Sequence, residues 1–158
     1  MTKDREFHTY RGYQLIRQYN IFLTPSMEDY LEMIYRNCIE DGYVRMTSLA
    51  EQLNVQAPSA TKIVQKLSRK GLLAYEKYGI IQLTERGRKI GEFLLKRHGI
   101  VEDFLKSIGA SENILIETEM IEHYLSIDTV DSIEMLNMFF EENPKILETF
   151  LQFKKSRE

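Results

Sequence analysis

Thr47-Ser-Leu-Ala-Glu-Gln-Leu53, Asn54-Val-Gln56 and Ala57-Pro-Ser-Ala-Thr-Lys-Ile-Val-Gln-Lys-Leu-Ser-Arg-Lys-Gly71 decide the fold of this chain. The first piece reads as a short helix, with Thr47 as N-cap and Leu49, Ala50 and Leu53 inward. Asn54-Val55-Gln56 makes the turn. The second piece reads as a longer helix in which Pro58 is tolerated in the first turn. Its apolar residues Ala60, Ile63, Val64 and Leu67 recur at helical spacing, and Gly71 stops it after Arg69-Lys70. Two helices joined by so short a turn form a helix-turn-helix unit.

Working outward, Thr24-Pro25 opens an upstream helix, and Tyr30, Leu31, Ile34, Tyr35 and Cys38 line it until Asp41-Gly42 ends it. Downstream, residues 72–76 and 80–84 read as strands joined by Lys77-Tyr78-Gly79, which is a hairpin. Helix, short helix, turn, helix, hairpin is the order of a winged helix-turn-helix. The rest is helical. A long helix opens at Thr84 and runs to about Ser107, where Gly109 breaks it. Ser111 is expected to cap a helix closing near Ser126, Asp128 another through Phe140, and Pro144 starts the last. The expected fold class is therefore mainly α: an N-terminal winged helix-turn-helix followed by an all-helical domain. The expected divisions are an extension at 1–23, a DNA-binding domain at 24–84 and a helical domain at 85–158.

The 158 residues suffice for a real core, and 43% apolar with 28% charged residues is an ordinary globular balance. No apolar run approaches the roughly 20 residues of a membrane helix, and the charged N-terminus does not read as a signal peptide. One cysteine, Cys38, rules out an internal disulfide and suits a reducing cytoplasm, the expected location; it falls on an apolar stripe as a structural thiol. Net charge is −3, but residues 60–98 carry ten Lys or Arg against three Glu, whereas residues 99–158 carry five basic against thirteen acidic groups. A basic middle on an acidic chain points to a polyanion-binding face.

That basic stretch coincides with the helix-turn-helix. Ser59, Thr61, Lys62, Gln65 and Lys66 lie opposite the apolar stripe, offering hydroxyls and amides to base edges and ammonium groups to phosphates. Lys77 and Tyr78 give the wing a cation and an aromatic. Double-stranded DNA is the expected partner. One winged helix has a small footprint, so a two-fold dimer on a pseudo-palindromic site is expected.

Two acidic clusters flank this unit. Asp29-x-x-Glu32 share one helix face, and Glu119, Glu122 and His123 share another. Carboxylates so placed repel one another by a few tenths of a kcal/mol per pair unless neutralised. Oxygen donors with imidazole suit Mn²⁺ or Fe²⁺ better than the thiolate-rich cage favoured by zinc. His98 alone reads as a helix-surface or partly buried histidine.

Thr24-Pro-Ser-Met-Glu-Asp-Tyr-Leu-Glu32-Met-Ile-Tyr35, Ser59-x-Thr-Lys-x-Val-Gln-Lys-Leu67, Tyr75-Glu-Lys-Tyr78, Leu83-Thr-x-x-Gly87, Arg97-His98 and Ile121-Glu-His123 together resemble the diphtheria-toxin-repressor family, over about residues 24–142. The resemblance is best to its manganese-responsive branch. It implies a homodimeric winged-helix repressor of metal-uptake genes, activated by Mn²⁺ held by Asp29, Glu32, His98, Glu119, Glu122 and His123. The iron-responsive branch is similar but has methionine at the place of Asp29 and cysteine at that of Glu119. Hard oxygen donors at both favour Mn²⁺ over Fe²⁺. Residues 1–23 have no counterpart in this resemblance, and His8 there is a conceivable further ligand. The competing readings are an iron-responsive repressor, a metal-independent winged-helix regulator and a metallohydrolase. Against the last, each acid is better used as a ligand and no nucleophile motif or phosphate loop is present, so no enzyme is expected.

Overall fold

A computed structural model describes residues 21–110 and 112–157, without the side chain of Lys77. The expected arm at 1–20 with His8, and the Ser111 cap, lie outside the described residues. Helix α1 spans Pro25–Asp41. Thr24 Oγ1 accepts the Met27 N–H at 3.3 Å, and Gly42, at φ +80°, donates back to the Cys38 carbonyl. A two-residue strand β1, Val44–Arg45, leads directly into α2, Met46–Gln52. Helix α3 spans Ala57–Arg69 and ends in paired bonds from Gly71 N–H to Ser68 O and Leu72 N–H to Leu67 O. That is a Schellman closure, with Gly71 at φ +72° where a side chain would be strained. Strands β2, Leu73–Tyr75, and β3, Ile80–Leu83, form the wing around a tight turn at Lys77–Gly79. The sheet order is β1-β3-β2, antiparallel throughout, with Val44 opposite Ile81 and Ala74 opposite Gln82.

Two helices begin at caps other than the expected ones. Arg45, still extended from pairing with Ile80, is the N-cap of α2, so Thr47 falls inside the first turn. Strand β1 is too short to show alternation, which is why the sequence hid both features. The cap before the sixth helix is Ser126, whose Oγ accepts the Thr129 N–H at 3.2 Å; Asp128 sits in the first turn instead, favourable to the helix dipole.

Helix α4 spans Glu85–Ser107, α5 Ile114–Glu122 with Asn113 at its N-cap, α6 Ile127–Glu142 and α7 Pro144–Lys155. The described residues form two compact units, divided between Leu95 and Lys96. The first is built on a core of Leu31, Ile34, Leu49, Val64, Leu67, Leu72, Ile81, Ile90 and Leu94, all fully buried. It joins α1, α2, α3 and the sheet to the first part of α4. At the start of α4, Thr84 Oγ1 accepts the Gly87 N–H and donates to the Gly71 carbonyl at 2.8 Å. In the second unit Val101 and Val130 are fully buried, and Asn137 Nδ2 donates to the Ile100 carbonyl at 2.9 Å, fastening α6 to α4.

Candidate metal centre and nucleic-acid interface

On α3 the buried residues Ala60, Val64 and Leu67 fix which side faces out. Ser59, Lys62, Gln65 and Lys66 are exposed on the opposite side, with Arg69 exposed at the C-terminal end. Thr61 is half-buried and its hydroxyl donates to the Ala57 carbonyl at 2.9 Å, so this side chain is already engaged within the helix. Its methyl group remains the part suited to a base edge. At the wing tip Tyr78 is 92% exposed and holds φ +70°, followed by Gly79 at +74°. A bulky residue in the left-handed region costs about 1–3 kcal/mol. Here the tight turn imposes that backbone and displays the ring to solvent. Lys77 lies in the same turn. Helix face and wing are the polar, cationic elements that double-stranded DNA requires.

The proposed ligands fall on both units. In the first, Asp29 and Glu32 lie on α1; Asp29 is exposed and Glu32 is buried. Burying a carboxylate requires compensation. Arg36, one turn on, supplies it: its Nη2 donates to Glu32 Oε1 at 2.7 Å and its Nε to the same oxygen at 3.1 Å. Cys38 on the same helix is buried in the apolar core, and burial pushes its thiol up from its ordinary value, which keeps it protonated and structural.

In the second unit, α5 is an amphipathic helix turned inside out. Thr118 and Glu122, one turn apart, face inward at 0% and 1% exposure, while Leu115, Ile116, Met120 and Ile121 face outward. Thr118 satisfies itself by donating to the Ile114 carbonyl at 2.8 Å. Glu122 meets two histidines. Its Oε2 lies 3.1 Å from Nδ1 of His98 on α4, and its Oε1 lies 3.9 Å from Nε2 of His123, the C-cap of α5. Arg97, 3% exposed, directs Nη2 at His123 Nδ1 from 3.2 Å. Glu119, one turn before Glu122, is exposed. Thus the fold brings His98, Glu122 and His123 together, with Glu119 on the same helix but facing solvent.

A buried carboxylate between two imidazoles, with a further carboxylate on α5, is a hard oxygen and nitrogen donor set. It fits Mn²⁺ or Fe²⁺, and it lacks the thiolates of a structural zinc cage. Reasoning from sequence overlooked Arg36 and the contact of Arg97 with His123. The available signal was a cation at the helical spacing i+4 from Glu32, and one directly beside His98.

Comparison with known proteins agrees. Residues 22–81 match the iron-dependent repressor N-terminal DNA-binding domain, and residues 84–151 match the iron-dependent repressor metal-binding and dimerisation domain. The HTH-type transcriptional regulator MntR of Geobacillus kaustophilus is 47% identical over 136 residues, covering 85% of this chain and 96% of that protein. The regulator of the same name from Shouchella clausii is 44% identical over 133 residues, covering 84% and 93% respectively. Among solved structures, the manganese regulator SloR is similar with a TM-score of 0.64 and 29% identity, over 72% of this chain and 54% of that one. The metal-dependent transcriptional regulator MtsR gives a TM-score of 0.66 and 26% identity, over 74% and 55%. This chain thus spans about half the length of those two. Among the described residues no helix is long and apolar enough to cross a membrane. With both domains matched in order along most of its length, the chain belongs to the iron-dependent repressor family, the diphtheria-toxin-repressor group its motifs resemble, and is a dimerising DNA-binding regulator rather than an enzyme.

Proposed function

We propose that this chain is a Mn²⁺-activated repressor of metal-uptake genes that works in the cytoplasm as a homodimer on a pseudo-palindromic operator. The observation that carries the metal part is Glu122, a carboxylate 1% exposed and set between His98 and His123. Similarity to regulators whose names specify manganese or metal supports the choice of ion. The proposed ligands are Asp29, Glu32, His98, Glu119, Glu122 and His123. A bound divalent cation would supply the positive charge that four carboxylates need in order to share one site.

The chain's own residues do the rest. The DNA-binding domain, 24–84, contributes Asp29 and Glu32; the dimerisation domain, 85–158, contributes the other four. A ligand set drawn from both favours one arrangement of recognition helices over others. Ser59, Thr61, Lys62 and Gln65 then read the operator, with Lys66 on its phosphates and Lys77 and Tyr78 at the wing. The outward apolar residues of α5, Leu115, Ile116, Met120 and Ile121, fit the dimer surface. By linkage, DNA and metal must strengthen each other's binding by the same factor.

The test is operator-like DNA binding at fixed salt, titrated separately with Mn²⁺, Fe²⁺ and Zn²⁺. A gain with Mn²⁺ that Glu119→Ala abolishes is expected. Equal affinity with and without every metal would leave a metal-independent winged helix, and a response to Fe²⁺ alone would make it an iron sensor.

A further inference from the structure

The two histidines beside Glu122 are held in opposite ways. Arg97 contacts His123 at Nδ1, 3.2 Å from its Nη2. A guanidinium has donors only and stays protonated, so Nδ1 must be the accepting nitrogen. A neutral imidazole has one such nitrogen; His123 therefore carries its proton on Nε2, the atom that lies 3.9 Å from Glu122 Oε1. His98 is the reverse. Its Nδ1 lies 3.1 Å from Glu122 Oε2 and is the donor to that carboxylate oxygen.

We infer that Arg97 is a built-in competitor for His123: its guanidinium occupies the one lone pair that this histidine could offer a divalent cation. Engaging His123 through Nδ1 displaces Arg97. Engaging it through Nε2 moves the proton to Nδ1 and removes Arg97's acceptor. Either route breaks the same contact. Both Arg97 and His123 are enclosed, with the His123 side chain 7% exposed, so the guanidinium charge is poorly screened where it stands. In the metal-free chain that contact also holds the His123 ring in place. Arg97 is thus a positioning residue that weakens cation binding and sets the concentration at which the regulator responds.

This inference rests on the proposed metal-binding function, and two measurements on the full-length chain separate its failure from the failure of that reading. The first is ¹⁵N NMR of histidine-labelled, metal-free wild type near neutral pH. His123 should show an unprotonated Nδ1 and a protonated Nε2; the opposite tautomer overturns the inference whatever the metal does. The second is a titration with Mn²⁺ alone, read as free Mn²⁺ by electron paramagnetic resonance. Arg97→Gln should bind about ten- to a hundredfold more tightly, the scale of one hydrogen bond to a charged group, and Arg97→Lys should stay nearer to wild type. Unchanged or weaker binding by Arg97→Gln, with wild type binding normally, overturns the role of Arg97. Absence of Mn²⁺ binding by wild type sinks the metal reading and the competition with it.

Discussion

A β-carbon placed on Gly87 would lie 1.9 Å from the Leu72 carbonyl oxygen, a backbone atom that cannot swing aside. Gly87→Ala should therefore destabilise the first unit by at least about 2 kcal/mol, seen as a lower urea midpoint with little change in slope. Asp131 shows a different residue-scale effect. Partial burial, with Glu134 and Asp128 nearby, raises its carboxyl above the ordinary 3.8, and Lys96 only partly offsets this. A raised carboxyl means that the folded state binds the proton more tightly than the unfolded chain. Stability on this account is present at low pH and falls as pH rises through the folded value. Asp131→Asn should accordingly raise Tm at pH 7 and lose that advantage toward pH 3. A gain that instead grows on acidification would contradict this sign.

At the scale of elements, α3 and the wing divide their tasks. In the proposed complex the exposed N-terminal part of α3, with Ser59 and Lys62, would reach base edges, and Lys66, one turn on, would meet phosphates. Lys66→Ala should weaken binding to all duplexes alike and reduce the slope of log affinity against log salt by about 1. A change in sequence preference at constant slope would mean that Lys66 reads bases. Helix α1 depends on its cap. Thr24→Ala removes the acceptor for the Met27 N–H and should cost about 1 kcal/mol in chemical denaturation. The apolar spacing of α1 and α3 and the glycine stops were legible in sequence because they follow local backbone chemistry. The true N-caps of α2 and α6 were not. Thr47 and Asp128 are good capping types, but pairing of Arg45 with Ile80 and the end of α5 at His123 decide where each helix begins.

For the molecule as a whole, the outward apolar side of α5 is the surface whose burial a second copy would complete. Its Ile116 is 57% and Met120 67% exposed, too much apolar surface to leave in water beside an inward carboxylate. Ile116→Asp should shift the chain toward monomer in analytical ultracentrifugation. DNA affinity should fall with it, since the two half-sites would no longer be held together. An undiminished dimer would place the interface elsewhere.

The sequence by itself determined the winged helix-turn-helix, its basic face, the acidic clusters and the family, because helical periodicity, turn chemistry and donor type are carried by residues near one another in the chain. His98 gained meaning only through a family resemblance, since a lone histidine has no periodic signature. Only the tertiary structure decided that Glu122 is buried between His98 and His123 while Glu119 stays exposed, and that Arg97 faces His123. Those facts depend on how α4 and α5 pack. Residues more than twenty positions apart meet there, and their tautomers are set by whichever donor or acceptor the packing supplies.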